Sequence, residues 1–439
     1  MARDVNTLAA AHGKRLDYYP FLPVVVLIAA ALAVYWPVFS NQFLLLWDDQ
    51  WVPINHYTED GLAPDNIWNV ISRFYHGQYA PVNELYYIVL YNFFGYSAFW
   101  FHTAGLLIHI LNVLLAYSFI FIFLSQTNRL GLQSIRRISL IVALLFAIHP
   151  FLAEAVSWVS ASKVILYTFF YLIALHFYLE YISTTRYRYY ALTIVFFIIS
   201  FGAKEQAVTF PLCLLLLDYF LGRDCRDKKI WLEKAPIFLL SIFFGIVTIR
   251  SQSAAGVGVL SHEAKYPFYQ SCLFACYSLT DYTFKCLIPV KLSYLYPFPN
   301  QVGDPVPLRF WIYPPVIIGI MLIFWNFWRQ RWVLFGTAFF IIHIALALNI
   351  IPLSRYSMIA DRYAYLSSVG VFFVIAWLID LAILKKVKNI RIGLTFFALY
   401  LLSLGIYACR RSQVWHDDGS LKKELLDLLK QRNDFENNY

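Results

Sequence analysis

The sequence predicts an all-α polytopic membrane protein, and three observations support this class. The chain of 439 residues is 60% hydrophobic and only 14% charged, whereas soluble proteins have about 25% charged residues. Its apolar residues are concentrated in long runs, and about 20 such residues in a helix cross a bilayer. Basic residues lie in the short loops between the runs, a pattern that indicates membrane topology.

The apolar runs predict about eleven transmembrane helices of roughly 17–25 residues each. These predicted spans lie near residues 21–40, 99–125, 138–156, 162–183, 189–203, 206–222, 235–250, 311–327, 333–351, 363–383 and 393–409. The first run is long enough to span and lacks a small-residue cleavage site, so we do not expect a cleavable signal peptide.

Orientation follows from the basic loops, because Lys and Arg favour the cytoplasmic side. Starting from a cytoplasmic N-terminus, every alternate loop is basic; these loops carry Arg129, Arg136 and Arg137; Arg186 and Arg188; Arg223, Arg226, Lys228 and Lys229; Arg329 and Arg331; Lys385, Lys386, Lys388 and Arg391. The C-terminus is then expected on the outer side. Residues 266–290 are also apolar, but a crossing there would reverse the last two basic loops, so we predict an interfacial or re-entrant helix.

The predicted domain plan is one transmembrane module, residues 1–410, followed by a short outer tail, residues 411–439. The module has two long outer loops, 41–98 and 251–310. In the first loop, Pro64 and Pro81 each precede an apolar helical pattern too short to span, and Pro favours the first position of a helix. The tail contains one predicted helix, residues 420–431.

Composition argues against several other classes. The net charge of +9 resides in topology-determining loops rather than in a basic stripe, so nucleic acid is not an expected partner. The six Cys residues have no CxxC spacing, so neither a disulfide framework nor a cysteine metal site is predicted. His and Glu spacings typical of zinc sites are also missing, so we predict no metal site.

Ionisable residues recur next to the ends of spans on the predicted outer side. In chain order they are Asp48, Asp49, His149, Glu154, Lys204, Glu205, Arg355, Asp361, Arg362, Arg410 and Arg411. Ionisable groups at membrane depth are costly, so their presence indicates function. Because they come from different spans, we expect them to converge on one cavity.

The first pair, Asp48 and Asp49, directly follows an apolar stretch. Adjacent carboxylates repel each other, and a carboxyl with a raised pKa suits a general base. We predict that one of them is the catalytic base, with a slight preference for Asp49. The alternative is the start of a solvated loop.

The remaining residues suit phosphate binding and acceptor orientation. Glu154 is predicted as a second acid, and His149 as a phosphate contact; the alternatives are a water-facing Glu and a His that caps a helix. Lys204 and Glu205 are either part of the site or a local ion pair. Arg355 and Arg362 would share one helix face, and Arg binds phosphate oxygens in a bidentate fork; the alternative is snorkelling to the headgroups.

An ordered set of short motifs resembles the TMTC-type mannosyltransferases, within the GT-C superfamily. The motifs are Trp47-Asp48-Asp49 with Asn55, Tyr79-Ala80-Pro81-Val82, Phe101-His102 with His109, Phe146-Ala147-Ile148-His149-Pro150 with Glu154-Ala155-Val156, Lys204-Glu205, Asp361-Arg362-Tyr363-Ala364-Tyr365-Leu366, and Arg411 with Trp415. Two features depart from the family pattern. Ala80 stands where relatives often carry Arg, and no TPR repeats follow the predicted tail helix, which leaves the acceptor class open.

The resemblance implies a GT-C fold and transfer of a sugar, mannose by preference, from a polyprenyl phosphate to a protein, lipid or glycan hydroxyl. An Asp base, inversion and no required cofactor are expected, with Arg355, Arg362, His149 and Lys204 at the donor phosphate. Glu205, Asp361 and Asn55 would bind the acceptor or support the site. A bacterial inner membrane with a periplasmic site is favoured over the endoplasmic reticulum.

Two rival classes remain open. A flippase or transporter would also need many spans, but transporters concentrate ionisable groups near the midplane and carry repeated halves. A membrane scaffold would not need the outer carboxylates.

Overall fold

The computed structural model describes residues 21–257, 260, 265–350 and 357–430. It is all-helical, with no β-strand within these ranges. The α-helices are α1 Phe21–Tyr35, α2 His56–Glu59, α3 Pro64–Ser72, α4 Pro81–Phe94, α5 Ala98–Thr127, α6 Leu132–Ile148, α7 Ala153–Ser157, α8 Ser162–Thr184, α9 Tyr187–Ala203, α10 Phe210–Leu221, α11 Lys228–Ala254, α12 Phe268–Leu287, α13 Tyr313–Ile323, α14 Trp325–Trp328, α15 Arg331–Ile344, α16 Ser368–Leu384, α17 Ile390–Val414 and α18 Asp418–Lys430.

Several helices have the length and composition of membrane spans. Within the described ranges, five helical segments are long and apolar enough to cross a bilayer, or six if one bent pair counts as a single span. The five are Phe21–Ser40, Ala98–Thr127, Val159–Thr184, Lys228–Ala254 and Ile390–Val414. A helix lies at each of the eleven predicted positions, but the remaining ones are shorter, so the full count stays a prediction.

Several helices are short because they end where polar residues begin. Helix α6 stops at Ile148, and a bend of 55° at His149 separates it from Pro150–Ser157; proline cannot donate the next helical hydrogen bond. A 3₁₀ turn at Glu205–Thr209 precedes α10, and another at Asp361–Ala364 lies before α16. Irregular backbone is tolerated at membrane depth only where protein or a cavity surrounds it.

The centre of the bundle is formed by α5, α6, α8 and α9, with α15 and α16 packed beside them. Its interior is aromatic and aliphatic; Phe119, Phe123 and Leu172 are fully buried. Helices α15 and α16 approach closely at Gly336 and Gly370, where an added Cβ on either glycine would clash with the other's backbone. Small residues allow such close packing between membrane helices.

A buried charge cluster joins the start of α11 to the end of α10. Lys234 and Asp218 are both fully buried, and Lys234 Nζ lies 2.9 Å from Asp218 Oδ2. Arg223 adds contacts at 2.9 Å to Asp218 and 2.7 Å to Glu233, and Tyr178 donates a 2.5 Å hydrogen bond to Asp218. Each charge therefore has an opposite partner, which buried charges require.

We expect Lys234→Met to destabilise the protein by about 3–5 kcal/mol, because it removes one partner of a buried ion pair. Unfolding in detergent, followed by helical circular dichroism, measures the effect. Lys229→Met is the matched control, since Lys229 is exposed one turn earlier in the same helix. Equal unfolding of the two variants would contradict a stabilising role for the cluster.

The first long loop contains three short helices, α2, α3 and α4, and two of them begin at the prolines noted in the sequence. Helix α12 occupies the segment 266–290, and α18 occupies the predicted tail helix. Whether α3, α4 and α12 lie at the membrane interface stays a prediction.

The predicted topology places residue 388 and residue 439 on opposite sides of the membrane. Reporter fusions after Lys388 and after Tyr439 should therefore give opposite signals. A third fusion, after Arg226, should agree with the one after Lys388, because both follow basic loops. Identical signals from Lys388 and Tyr439 would contradict the eleven-span arrangement.

Candidate functional site

A cavity of about 550 Å³ opens at one end of the helix bundle. Its ionisable lining residues are Asp48, His76, Lys163, Lys204, Glu205 and Arg362. Among these described residues, three basic side chains, Lys163, Lys204 and Arg362, accompany two carboxylates, so the basic groups outnumber the acidic ones by one. The charge cluster at Lys234 lies at the opposite ends of α10 and α11, so the two polar regions are separated by the apolar bundle. We call this space the Asp48 cavity.

The Asp48 cavity is formed by elements that are distant in sequence. The loop before α2 supplies Asp48 and Trp51, and the start of α8 supplies Lys163. Lys204 and Glu205 come from the junction between α9 and a 3₁₀ turn. Thus, the structure brings four sequence-predicted site residues to one cavity: Asp48, Lys204, Glu205 and Arg362.

The two adjacent aspartates face different surroundings. Asp49 is fully buried; its Oδ2 accepts the Leu44 N–H at 2.8 Å, and its Oδ1 accepts the Ser160 N–H at 3.0 Å and the Ser160 hydroxyl. Burial raises the pKa of Asp49 to about 6, although these hydrogen bonds favour the charged form. Asp49 therefore fastens the loop to the turn at Val159–Ala161 and does not line the cavity.

Asp48 is only half-buried and lies on the cavity wall. Its Oδ1 accepts a 3.3 Å hydrogen bond from the Trp51 indole N–H. The carboxylate is thus held in orientation by one neighbour while it stays accessible from the cavity. Geometry makes Asp48, rather than Asp49, the carboxylate that can meet a ligand.

Arg362 is held by Glu154. The Glu154 carboxylate is 1% exposed; it accepts the Arg362 backbone N–H at 3.0 Å and pairs with the guanidinium through its other oxygen. The guanidinium also lies over the rings of Trp158 and Tyr363, at 5.2 and 5.1 Å from their centroids. Glu154 therefore positions a cation at the cavity wall and is not itself among the lining residues.

Lys204 and Glu205 form a loose pair, with 3.7 Å between Nζ and Oε1. The Lys204 ammonium lies 5.4 Å from the Tyr363 ring centroid. It is therefore close to the ring that also contacts Arg362, and the two cations share one aromatic neighbour.

A tight turn closes another side of the cavity. His76 and Gly77 have φ values of +44° and +72°, and Tyr75 and Gln78 exchange backbone hydrogen bonds of 3.0 and 2.9 Å across the turn. Gly77 contacts the end of α11, where the Ser251 hydroxyl donates to its carbonyl at 3.2 Å. A Cβ at Gly77 would lie 3.0 Å from Ala255 Cβ, so glycine suits both this contact and the left-handed backbone.

Sequence reasoning missed three ionisable residues: His76, Lys163 and Glu84. Lys163 lines the cavity and donates a hydrogen bond to Gln78 Oε1 at 2.6 Å. The sequence feature that could have identified it is its position as a lysine at the outer end of a predicted span. Glu84 lies in a smaller adjoining pocket with Lys163, and burial raises its pKa to about 7, while the Asn55 amide donates to it at 3.1 Å. Ala80, where the resemblance expects Arg, lines both pockets beside Lys163.

Other predicted site residues are not at the cavity wall. His149 is buried, and its Nδ1 accepts the Phe151 N–H at 3.3 Å. Asn55 caps α2 by accepting the Thr58 N–H at 3.0 Å. Asp361 is buried and accepts the Tyr296 hydroxyl at 2.7 Å, and burial raises its pKa to about 7. These three residues support neighbouring elements, and Arg355 lies outside the described residues.

No group of three or more His, Cys, Asp or Glu side chains within the described ranges is arranged to hold a metal ion. The chain matches no protein-family model, and it has no match among curated proteins.

Proposed function

We propose that the protein is a membrane glycosyltransferase of the GT-C type, with about eleven spans. It transfers a sugar, mannose by preference, from a polyprenyl phosphate to an acceptor hydroxyl. The observation that carries this proposal is the Asp48 cavity, which combines the carboxylates of Asp48 and Glu205 with Lys163, Lys204 and Arg362. Its volume of about 550 Å³ falls within the usual range for small-ligand sites.

The cations suit the donor phosphate. Arg362 is pre-oriented by Glu154, and Lys204 lies by the same Tyr363 ring. In transfer, the bond between the anomeric carbon and the phosphate oxygen breaks, and the lipid phosphate leaves with increased negative charge. Fixed cations stabilise such developing charge without proton transfer. Lys163, beside Ala80, supplies a cation where the family pattern has Arg.

The carboxylate suits the acceptor. As the acceptor oxygen attacks the anomeric carbon, Asp48 takes its proton, and the configuration at that carbon is inverted. The Trp51 hydrogen bond keeps one carboxylate oxygen fixed. A base positioned this way typically contributes about 10²–10⁴-fold to the rate.

Access to the cavity also suits a lipid-linked donor. The end of α11 contributes Thr248, Ser251 and Gln252 to the lining, while its outward side carries exposed apolar residues such as Leu239 and Phe243. A polyprenyl tail can lie against this lipid-facing surface while its phosphate reaches the cavity. We place the site on the outer face of a bacterial inner membrane.

The direct test supplies purified protein in nanodiscs with radiolabelled mannosyl polyprenyl phosphate and with protein, lipid or glycan acceptors. Transfer of label to an acceptor supports the proposal. Movement of intact donor between the leaflets of liposomes without any transfer would refute it and favour a flippase.

A further inference from the structure

The segment that follows α17 packs against the loop that carries Asp48. Asp418, the first residue of α18, accepts two backbone N–H groups of this loop: Leu45 N–H on Oδ2 and Leu46 N–H on Oδ1, each at 3.1 Å. Gln42 N–H donates to the His416 carbonyl at 2.8 Å. One carboxylate therefore uses both oxygens to hold two consecutive amides of a segment more than 370 positions away in sequence.

The same segment contacts the cavity wall from behind. Trp415 is fully buried; it stacks on Trp158 at 5.4 Å and meets Tyr294 edge-on at 5.8 Å. Trp158 and Tyr294 both line the Asp48 cavity. Leu44, at the start of the loop, packs in the same cluster as Trp415.

Helix α18 is itself anchored, so its first residue is held in place. Arg411, near the end of α17, is almost fully buried and pairs with Glu424 on α18. Leu421 is buried in the cluster with Trp415. The Asp417 carboxylate accepts the Ser420 N–H at 2.7 Å and caps the first turn. Asp418 thus projects from a fixed helix start toward the loop.

We propose that Asp418 is a positioning residue that fixes the loop Leu44–Asp49 so that Asp48 faces the cavity. The inference depends on the proposed function in one respect, the role of Asp48 as the base. Asp49 connects the loop to the turn at Ser160 by hydrogen bonds, and Asp418 holds the loop by hydrogen bonds on a second side. Hydrogen bonds from both Asp49 and Asp418 leave the short turn at Asp48–Gln50 with one orientation. If the Asp418 hydrogen bonds are lost, the turn can rotate. Small misplacements of a catalytic group lower reaction rates strongly.

The test compares Asp418→Asn with Asp427→Asn, the same change at an exposed position on the same helix. An amide offers one acceptor oxygen, so one loop N–H loses its partner in the first variant. We expect faster hydrogen exchange at Leu45 and Leu46 and a fall in kcat of about 10- to 100-fold, with donor KM unchanged. Asp418→Glu should restore part of kcat, and Asp427→Asn should match the unmodified protein.

A purely stabilising role would instead raise exchange throughout the molecule and lower the melting temperature. That result would overturn the proposal, as would unchanged exchange at Leu45 and Leu46, or faster exchange with normal kcat. If the unmodified protein transfers no sugar, the proposed function fails. The local exchange comparison would still decide whether Asp418 holds the loop.

Discussion

Asp48→Asn is expected to lower kcat by about 10²–10⁴-fold, the usual contribution of a general base. The amide has the same shape as the carboxylate but cannot accept the acceptor proton. Its oxygen can still accept the Trp51 N–H, so the loop should keep its position. Because the Asp48 side chain is half-buried and makes no other hydrogen bond among those described, stability and donor KM should change little. Turnover of purified variants with labelled donor provides the measurement.

Asp49→Asn is the comparison that separates catalysis from folding. Asp49 accepts three hydrogen bonds from Leu44 and Ser160, and an amide N–H₂ would face at least one of these donors. An unsatisfied buried polar group costs about 1–3 kcal/mol. This variant should therefore lose stability, and its lost turnover should accompany a lower melting temperature.

The opposite kinetic result would assign the role of base to Asp49 instead of Asp48. If Asp48→Asn kept nearly normal turnover while a fully folded Asp49→Asn lost it, Asp49 would be the base, as the sequence alone slightly favoured. If both kept turnover, the chemistry would lie elsewhere. Glu205 would then be the next candidate, because it lines the cavity, whereas Glu154 is occupied by Arg362.

Local patterns were sufficient to predict where the longer helices lie. The prolines at 64 and 81 begin α3 and α4 as expected, because proline fits the first turn of a helix. The apolar runs place a helix at every predicted span. Helix ends were harder to predict, because the 3₁₀ turns at Glu205 and Asp361 follow from packing around the cavity rather than from local composition.

The direction of each side chain could not be predicted from local sequence. Asp48 and Asp49 are neighbours, and a contact with Ser160, more than a hundred residues later, holds Asp49 in its buried position. Lys163 stands at the start of an apolar run, and its contact with Gln78, 85 positions earlier, places it at the cavity. The contact between Asp418 and the Asp48 loop likewise joins residues with no shared local pattern.

Replacing Arg362 is expected to have the second large effect on turnover. Arg362→Lys keeps a positive charge near Glu154 but loses the planar fork and the broad contact with Trp158, so the substitution is not conservative at such a site. Removing one group that stabilises developing negative charge typically costs about 10²–10³-fold in kcat. We expect a loss of this size in kcat, with a rise in donor KM and little change for the acceptor.

The control must separate the loss of a phosphate contact from the loss of an ion pair. Arg137→Lys serves this purpose: Arg137 pairs with the buried Asp380 at 2.6 Å, as Arg362 pairs with Glu154, but Arg137 does not line the cavity. Both variants should show similar, modest changes in melting temperature, because each retains a cation beside its carboxylate. Only Arg362→Lys should lose turnover. If the two variants lose turnover equally, or if Arg362→Lys leaves donor use unchanged, Arg362 does not bind the donor phosphate.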